Sequence, residues 1–307
     1  MKRKKSEGIV VPMITPFKTD GNIDLISAGD VTRYLIDHGC IPFIMGTTGE
    51  ATSIPANQRQ PFVNAVVEAA NGDQPVYVGI SSNCLKESVQ MANNFSAAGA
   101  NFAVAHLPFY YSLKPYQMKE YYHRLADSID LPLIVYNISA TTHMSIPLDL
   151  VFDLSQHPNI RGIKDSEQDL ERQEKTIEFC NKQEGFSHFV GWGAQCAYAL
   201  SIGSDGIVPS TGNLVPDLYK QLYHAAKSGD NKTAKVLQKE TDAISAIYQE
   251  GRNLSESLAG LKVMMHELEL CGKKILPPLL ELAPDEEHKI LASMKKMNIK
   301  EKAKNVK

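Results

Sequence analysis

The chain has 307 residues, of which 43% are hydrophobic and 22% charged, with a formal net charge of −3. That balance provides apolar material for a sizeable core and leaves no basic surplus for a nucleic-acid surface. No apolar run approaches the ~20 residues needed to cross a bilayer and no signal-peptide-like apolar stretch opens the chain; Cys40, Cys84, Cys180, Cys196 and Cys271 are odd in number and form no C-x-x-C pair, so a soluble, cytoplasmic protein with reduced thiols is expected.

Taken in order, short apolar and β-branched runs recur at 8–15, 41–45, 76–80, 102–106, 131–136, 160–164, 187–191 and 206–208. Between them lie stretches with apolar residues at three and four spacing, such as Val31, Leu35 and Ile36, and Phe62, Val63, Val66 and Val67. Several close on a glycine, at Gly39, Gly72, Gly99 and Gly203, where a left-handed helix cap is expected. Strands alternating with helices at a period of about thirty residues predict parallel pairing, and eight such units predict an α/β fold of the (β/α)8 TIM-barrel type. A doubly wound sheet competes, but no glycine-rich phosphate loop follows any of the runs. Beyond residue 229 the pattern is helical only, at 233–248, 255–271 and 285–297, with Pro277-Pro278 as a break. The expected organisation is a barrel at 8–229, a three-helix C-terminal appendage at 230–298, and flexible tails at 1–7 and 299–307. The appendage carries no recognisable chemistry and reads as packing on the barrel or serving an oligomer.

Barrel enzymes hold their reacting groups at the carboxyl ends of the strands. Here those ends carry Thr15, the turn Gly46-Thr47-Thr48-Gly49-Glu50, Ser81 and Ser82, residues 108–111, Tyr136-Asn137, Lys164, Gly191 and the turn Ser210-Thr211-Gly212-Asn213. Lys164 ends an apolar run and is followed by polar residues. Burial disfavours the charged form of a lysine, so an amine at the mouth of a dry pocket becomes a nucleophile toward a carbonyl. The alternative is a lysine whose stem packs on the strand while its charge meets water or Asp165. The glycines of the 46–50 turn allow backbone N–H groups and threonine hydroxyls to form a nest for a carboxylate, although a plain strand-to-helix turn has the same residues. Tyr136 reads as a core residue or as a proton shuttle, and Tyr110-Tyr111 as loop groups of the site or as interface packing. The nine histidines, among them His106, His143 and His188, are dispersed without ligand spacing, so no metal is expected.

Together, Gly46-Thr47-Thr48-Gly49-Glu50, Tyr136-Asn137 and Gly162-Ile163-Lys164-Asp165, with Thr15-Pro16-Phe17 and the 210–213 turn, resemble the dihydrodipicolinate synthase and N-acetylneuraminate lyase family over about residues 8–297. The resemblance implies that Lys164 forms a Schiff base with pyruvate or another 2-keto acid, with the imine replacing a cofactor. It implies that Tyr136 shuttles protons, Thr48 and Gly46 help hold the keto-acid carboxylate, and Thr47 connects to Tyr136. Tyr111 matches a tyrosine that a neighbouring subunit lends in the synthase branch, which implies a homo-oligomer, a dimer or tetramer. Ser210 falls among the expected substrate-binding residues.

The chain also departs from the family pattern. Thr141 stands where the synthases carry an arginine for the carboxylate of aspartate semialdehyde, and a threonine is no cationic clamp. Ser166 stands two after the lysine, where a hydroxyl suits a polyhydroxylated keto acid. Asn83 and Glu87 fit part of a lysine feedback pocket, but Ala56 and Arg59 replace its histidines, so no feedback by lysine is expected. The leading expectation is a class I aldolase joining pyruvate to an aldehyde and cleaving a 2-keto-3-deoxy sugar acid or a related 4-hydroxy-2-keto acid. The alternatives are the lysine-pathway synthase and a non-catalytic barrel that binds a keto acid.

Overall fold

The structure is a computed structural model, and it describes residues 4–304. Among these residues, eight parallel strands close into a barrel in sequence order. They are β1 (Gly8–Pro12), β2 (Ile41–Ile44), β3 (Tyr77–Gly79), β4 (Phe102–His106), β5 (Leu133–Asn137), β6 (Ile160–Asp165), β7 (Ser187–Val190) and β8 (Gly206–Ile207). The barrel closes where Gly8 and Ile9 pair with Gly206 and Ile207. The helices that wrap it are α1 (Leu25–Asp37), α2 (Ala56–Ala70), α3 (Leu85–Ala97), α4 (Pro115–Asp127), the single turn α5 (Ser139–Thr142), α6 (Leu148–Leu154), α7 (Leu170–Lys182), α8 (Cys196–Ser201) and α9 (Pro216–Lys227).

Period-two alternation sorts the strand residues into two layers. One set, including Val10, Ile41, Phe43, Tyr77, Val104, Ile134, Tyr136 and Phe189, packs into one cluster that fills the barrel. The other, including Val11, Ile44, Val78, Ala105, Val135 and Ile163, joins the helices in a larger cluster. The helices start where the side-chain chemistry allows it: Asp24 accepts from Ser27 N at 3.3 Å and Asp169 from Arg172 N at 3.0 Å, each satisfying a free N–H of the first turn. On α1 the buried set Ala28, Val31, Thr32, Leu35 and Ile36 is a single helical stripe facing the sheet.

The first strand is shorter than the apolar run at 8–15 suggested. Past Pro12 the side chain of Asn213 takes over as pairing partner: its amide donates to Pro12 O at 2.9 Å and its oxygen accepts from Ile14 N at 3.2 Å. The freed Thr15 hydroxyl then donates to Gly49 O at 2.6 Å, fastening the turn after β2.

After α9 the chain continues as α10 (Asn231–Gln249), α11 (Leu254–Glu267), α12 (Pro284–Lys296) and α13 (Ile299–Lys304). Helix α10 packs on α8 and α9, and α11 on α10 and α12. Residues 299–304, expected as tail, are helical: Ile299 is fully buried and Lys300 pairs with Glu267 at 2.7 Å. At the other end Lys5, also expected as tail, is held by Cys180 O at 2.8 Å and Asp205 at 3.1 Å. The remaining tail positions, 1–3 and 305–307, lie outside the described residues. No described helix is long and apolar enough to cross a membrane.

Candidate active site

The register of β5 against β6 sets Tyr136 beside Lys164 and Asn137 beside Asp165. Alternation then sends the first pair into the barrel and the second toward the helices. Lys164 is 6% exposed, and its amine lies 3.7 Å from the centroid of the Tyr136 ring and 5.0 Å from that of Phe43. Asp165 does not neutralise it. Its carboxylate accepts from Arg172 Nε at 2.7 Å and from the Asn137 amide at 2.8 Å, both buried. The Asn137 amide also donates to Glu167 at 2.8 Å, its oxygen accepts from Ile146 N at 3.0 Å, and Arg172 donates to Ile146 O at 2.7 Å. This closed network pins the loop after β5 to the loop after β6 and leaves the Lys164 amine to the barrel mouth.

Burial pushes the Tyr136 phenol up, but the Lys164 charge and hydrogen bonding with Thr47, Lys164 and Ser166 outweigh it and hold the phenol below its ordinary range. A phenol so placed releases and recovers a proton more readily than an ordinary tyrosine. Ser166 fits because its neighbour across the site is Gly191, where a Cβ would sit 2.0 Å from the serine hydroxyl. The turn after β2 is tight for the same kind of reason: a Cβ on Gly79 would meet Met45 O at 1.9 Å. Glu50 N donates to Thr47 O at 3.1 Å and closes the turn.

Two cavities adjoin at this rim. The larger, about 820 Å³, is lined by Lys164, Tyr136, Thr47, Thr48, Ser166 and Ser210. The smaller, about 380 Å³, is lined by Gly46 and Thr141, with His106 and mainly apolar groups such as Phe43, Phe109, Leu258 and Leu279. Thr47, Tyr136 and Leu254 border both. The structure thus brings six of the sequence-derived residues to one cavity, sets Gly46 and Thr141 on the other side of Tyr136, and leaves Tyr111 70% exposed and lining neither. His106 hydrogen-bonds Leu107 O through Nδ1 at 2.7 Å, and burial lowers its pKa against the pull of that carbonyl.

Sequence reasoning missed the far wall of the larger cavity. Asp242, Ser245, Ala246 and Gln249, at i, i+3, i+4 and i+7, form one face of α10, and Arg252 in the link and Leu254 at the start of α11 follow. Behind this face the buried Tyr248 hydroxyl bonds Ser210 at 2.8 Å, Thr211 at 2.9 Å and the Gln249 amide at 2.9 Å, tying α10 to the turn after β8. Alternating polar and apolar residues at helical spacing were visible in the sequence, but they describe a solvated face equally well.

The model of the dihydrodipicolinate synthetase family matches residues 5–297. The chain belongs to that family. It is therefore a lyase of the aldolase type, built on the TIM barrel of its relatives. It is 29% identical over 294 residues to the probable 2-dehydro-3-deoxy-D-pentonate aldolase YjhH of Escherichia coli (strain K12), covering 94% of this chain and 96% of that one. To the 4-hydroxy-tetrahydrodipicolinate synthase of Shewanella piezotolerans it is 28% identical over 295 residues, covering 95% and 98%. The crystal structure of dihydrodipicolinate synthase from Acinetobacter baumannii complexed with pyruvate superposes with a TM-score of 0.88 at 25% identity, covering 95% of this chain and 99% of that one.

Proposed function

We propose that this lyase is a Schiff-base aldolase that reversibly cleaves a 2-keto-3-deoxy sugar acid, or a related 4-hydroxy-2-keto acid, to pyruvate and an aldehyde. The keto-acid carboxylate sits against Thr48 and the backbone of the 46–49 turn. The Lys164 amine adds to C2, and loss of water leaves an imine. Tyr136, backed by Thr47, takes the proton from the C4 hydroxyl while the C3–C4 bond breaks; its electron pair enters the imine and the aldehyde departs. The remaining enamine takes a proton at C3, and water returns pyruvate and the free amine. The covalent imine serves in place of a cofactor.

The observation that carries this reading is the Lys164 amine 3.7 Å from the Tyr136 ring centroid, on the lining of a hydroxyl-rich cavity. The pyruvate bound to the Acinetobacter baumannii synthase supports pyruvate as the keto acid.

The cavity wall favours a polyhydroxylated partner over aspartate semialdehyde. Thr141 replaces the arginine clamp and borders the smaller cavity. On the far wall Asp242 and Glu250 both border the larger one, while Arg252 is already paired with Glu286 at 2.7 Å. A second substrate carboxylate would meet two carboxylates there, whereas sugar hydroxyls donate to them. The aldolase at 29% identity and the synthase at 28% represent both activities and do not choose between them.

The exposed aromatic run Phe109, Tyr110 and Tyr111 fits a homo-oligomer, dimer or tetramer, in which a neighbour lends Tyr111 to the site. The five free thiols fit a reducing, cytoplasmic setting. A panel of 2-keto-3-deoxy sugar acids, and of aldehydes offered with pyruvate, tests the assignment through coupled pyruvate detection. Turnover of sugar acids is expected; rapid turnover with aspartate semialdehyde alone would make the chain a synthase.

A further inference from the structure

The turn that carries Thr47 and Thr48 is bracketed by two residues in left-handed backbone conformation, Met45 at φ 58° and Glu50 at φ 54°. Neither is a glycine, and a side-chain-bearing residue holds such a conformation only when its surroundings over-determine it. At Met45 the surroundings are Gly79, whose missing Cβ leaves room for the Met45 carbonyl. At Glu50 they come from the C-terminal helices. Glu50 Oε1 lies 2.5 Å from Lys262 Nζ on α11, and Oε2 accepts from Leu276 N at 3.0 Å. Lys262 in turn donates to Lys274 O at 2.7 Å and stands 4.1 Å from the centroid of the Phe17 ring. The two side chains are 0% and 1% exposed.

We propose that the Glu50–Lys262 pair is a positioning device for the keto-acid carboxylate nest, so that the C-terminal helices set the affinity of the barrel site for pyruvate. The inference rests on the assignment of that nest above. One carboxylate, on the residue that closes the Thr47–Thr48 turn, is tied to α11 and to the segment before α12. Any shift of α11 therefore moves the threonines.

A buried ion pair is a weak device for stability alone. Desolvation raises the pKa of Glu50 and lowers that of Lys262 against their mutual attraction, and neutral replacement of both partners of such a pair is often tolerated. What the pair supplies is direction: a fixed distance between a strained turn and a helix more than 200 residues away in the chain.

The double variant Glu50→Gln/Lys262→Met removes both charges at similar volume. It is expected to stay folded while KM for pyruvate rises about tenfold and kcat at saturating pyruvate changes by no more than about threefold, the split that separates lost ground-state positioning from lost chemistry. The single variant Lys262→Arg, which keeps the charge pair with Glu50 but alters its length and geometry, is expected to shift KM for pyruvate in the same direction by about threefold, and it decides the matter should the double variant not fold. Unchanged KM for pyruvate in a folded variant would overturn the inference and leave the pair as a core staple. Borohydride trapping of pyruvate by the parent enzyme is the control: failure there removes the Schiff-base assignment itself, while a trapped parent with unshifted variants removes the positioning role only.

Discussion

Lys164 and Tyr136 stand on adjacent strands locked in register, whereas Asp242, Ser245 and Gln249 stand on one face of α10, a helix that reaches the cavity by packing on α8 and α9. The first pair is buried in a hydrogen-bonded barrel, where moving either group means breaking a ladder or the Asn137–Asp165–Arg172 network. The second set is half-buried or exposed, and its members can be exchanged without disturbing the sheet. Under the proposed mechanism, the contrast would assign the two halves of the reaction to two kinds of structure: keto-acid activation to the strands, choice of the second substrate to the helices.

Breaking the strand side should have the largest effect. Lys164→Ala is expected to cut kcat/KM by about 10³-fold or more while leaving circular dichroism unchanged, because among the described residues no other group on the cavity lining supplies a nucleophilic amine. Tyr136→Phe should cost about 10²-fold in kcat, the scale of one positioned acid–base group, yet still allow borohydride to trap pyruvate. A variant that neither traps nor turns over would show that the phenol is needed before the imine forms.

The helix side should respond on a smaller scale and in another parameter. Asp242→Asn is expected to raise KM for the sugar acid by about three- to tenfold, the difference between a hydrogen bond to a charged acceptor and one to a neutral acceptor, while solvent-deuterium exchange into pyruvate C3 is unchanged. If exchange falls as far as cleavage does, the two halves are not separable.

Acid sensitivity sharpens the same contrast. His188 on β7 is fully buried, and desolvation, reinforced by the charges of Lys5 and Arg172, lowers its pKa from 6.5 to about 3. Unfolded, the imidazole binds a proton below 6.5; folded, it does not until about 3. The stability it contributes is present above pH 6.5 and is lost as pH falls toward 3, with a slope of about 1.4 kcal/mol per pH unit. Calorimetry from pH 7 to pH 5 should show a steeper loss in the parent than in a folded His188→Gln variant.

What the sequence revealed follows this division too. Lys164, Thr47, Thr48 and Tyr136 were legible because strand ends carry local marks: an apolar run, a glycine turn, a polar exit. The early end of β1 was not, since it depends on Asn213, 201 positions from the Pro12 carbonyl it captures. The α10 face was not, since Asp242, Ser245 and Gln249 have the spacing of any solvated helix face. Lys262 did leave a sign, as a lone cation inside the run Leu258–Met265, all of it buried. Its partner, in a turn more than 200 residues earlier, could not be named without the fold.

Peptide mapping after reduction with borohydride in the presence of pyruvate tests the central claim most directly. The expected result is the mass of one reduced pyruvate per chain, carried by the peptide that contains Lys164 and absent from Lys164→Ala. An unmodified Lys164 peptide, or an adduct on another lysine, would contradict the mechanism.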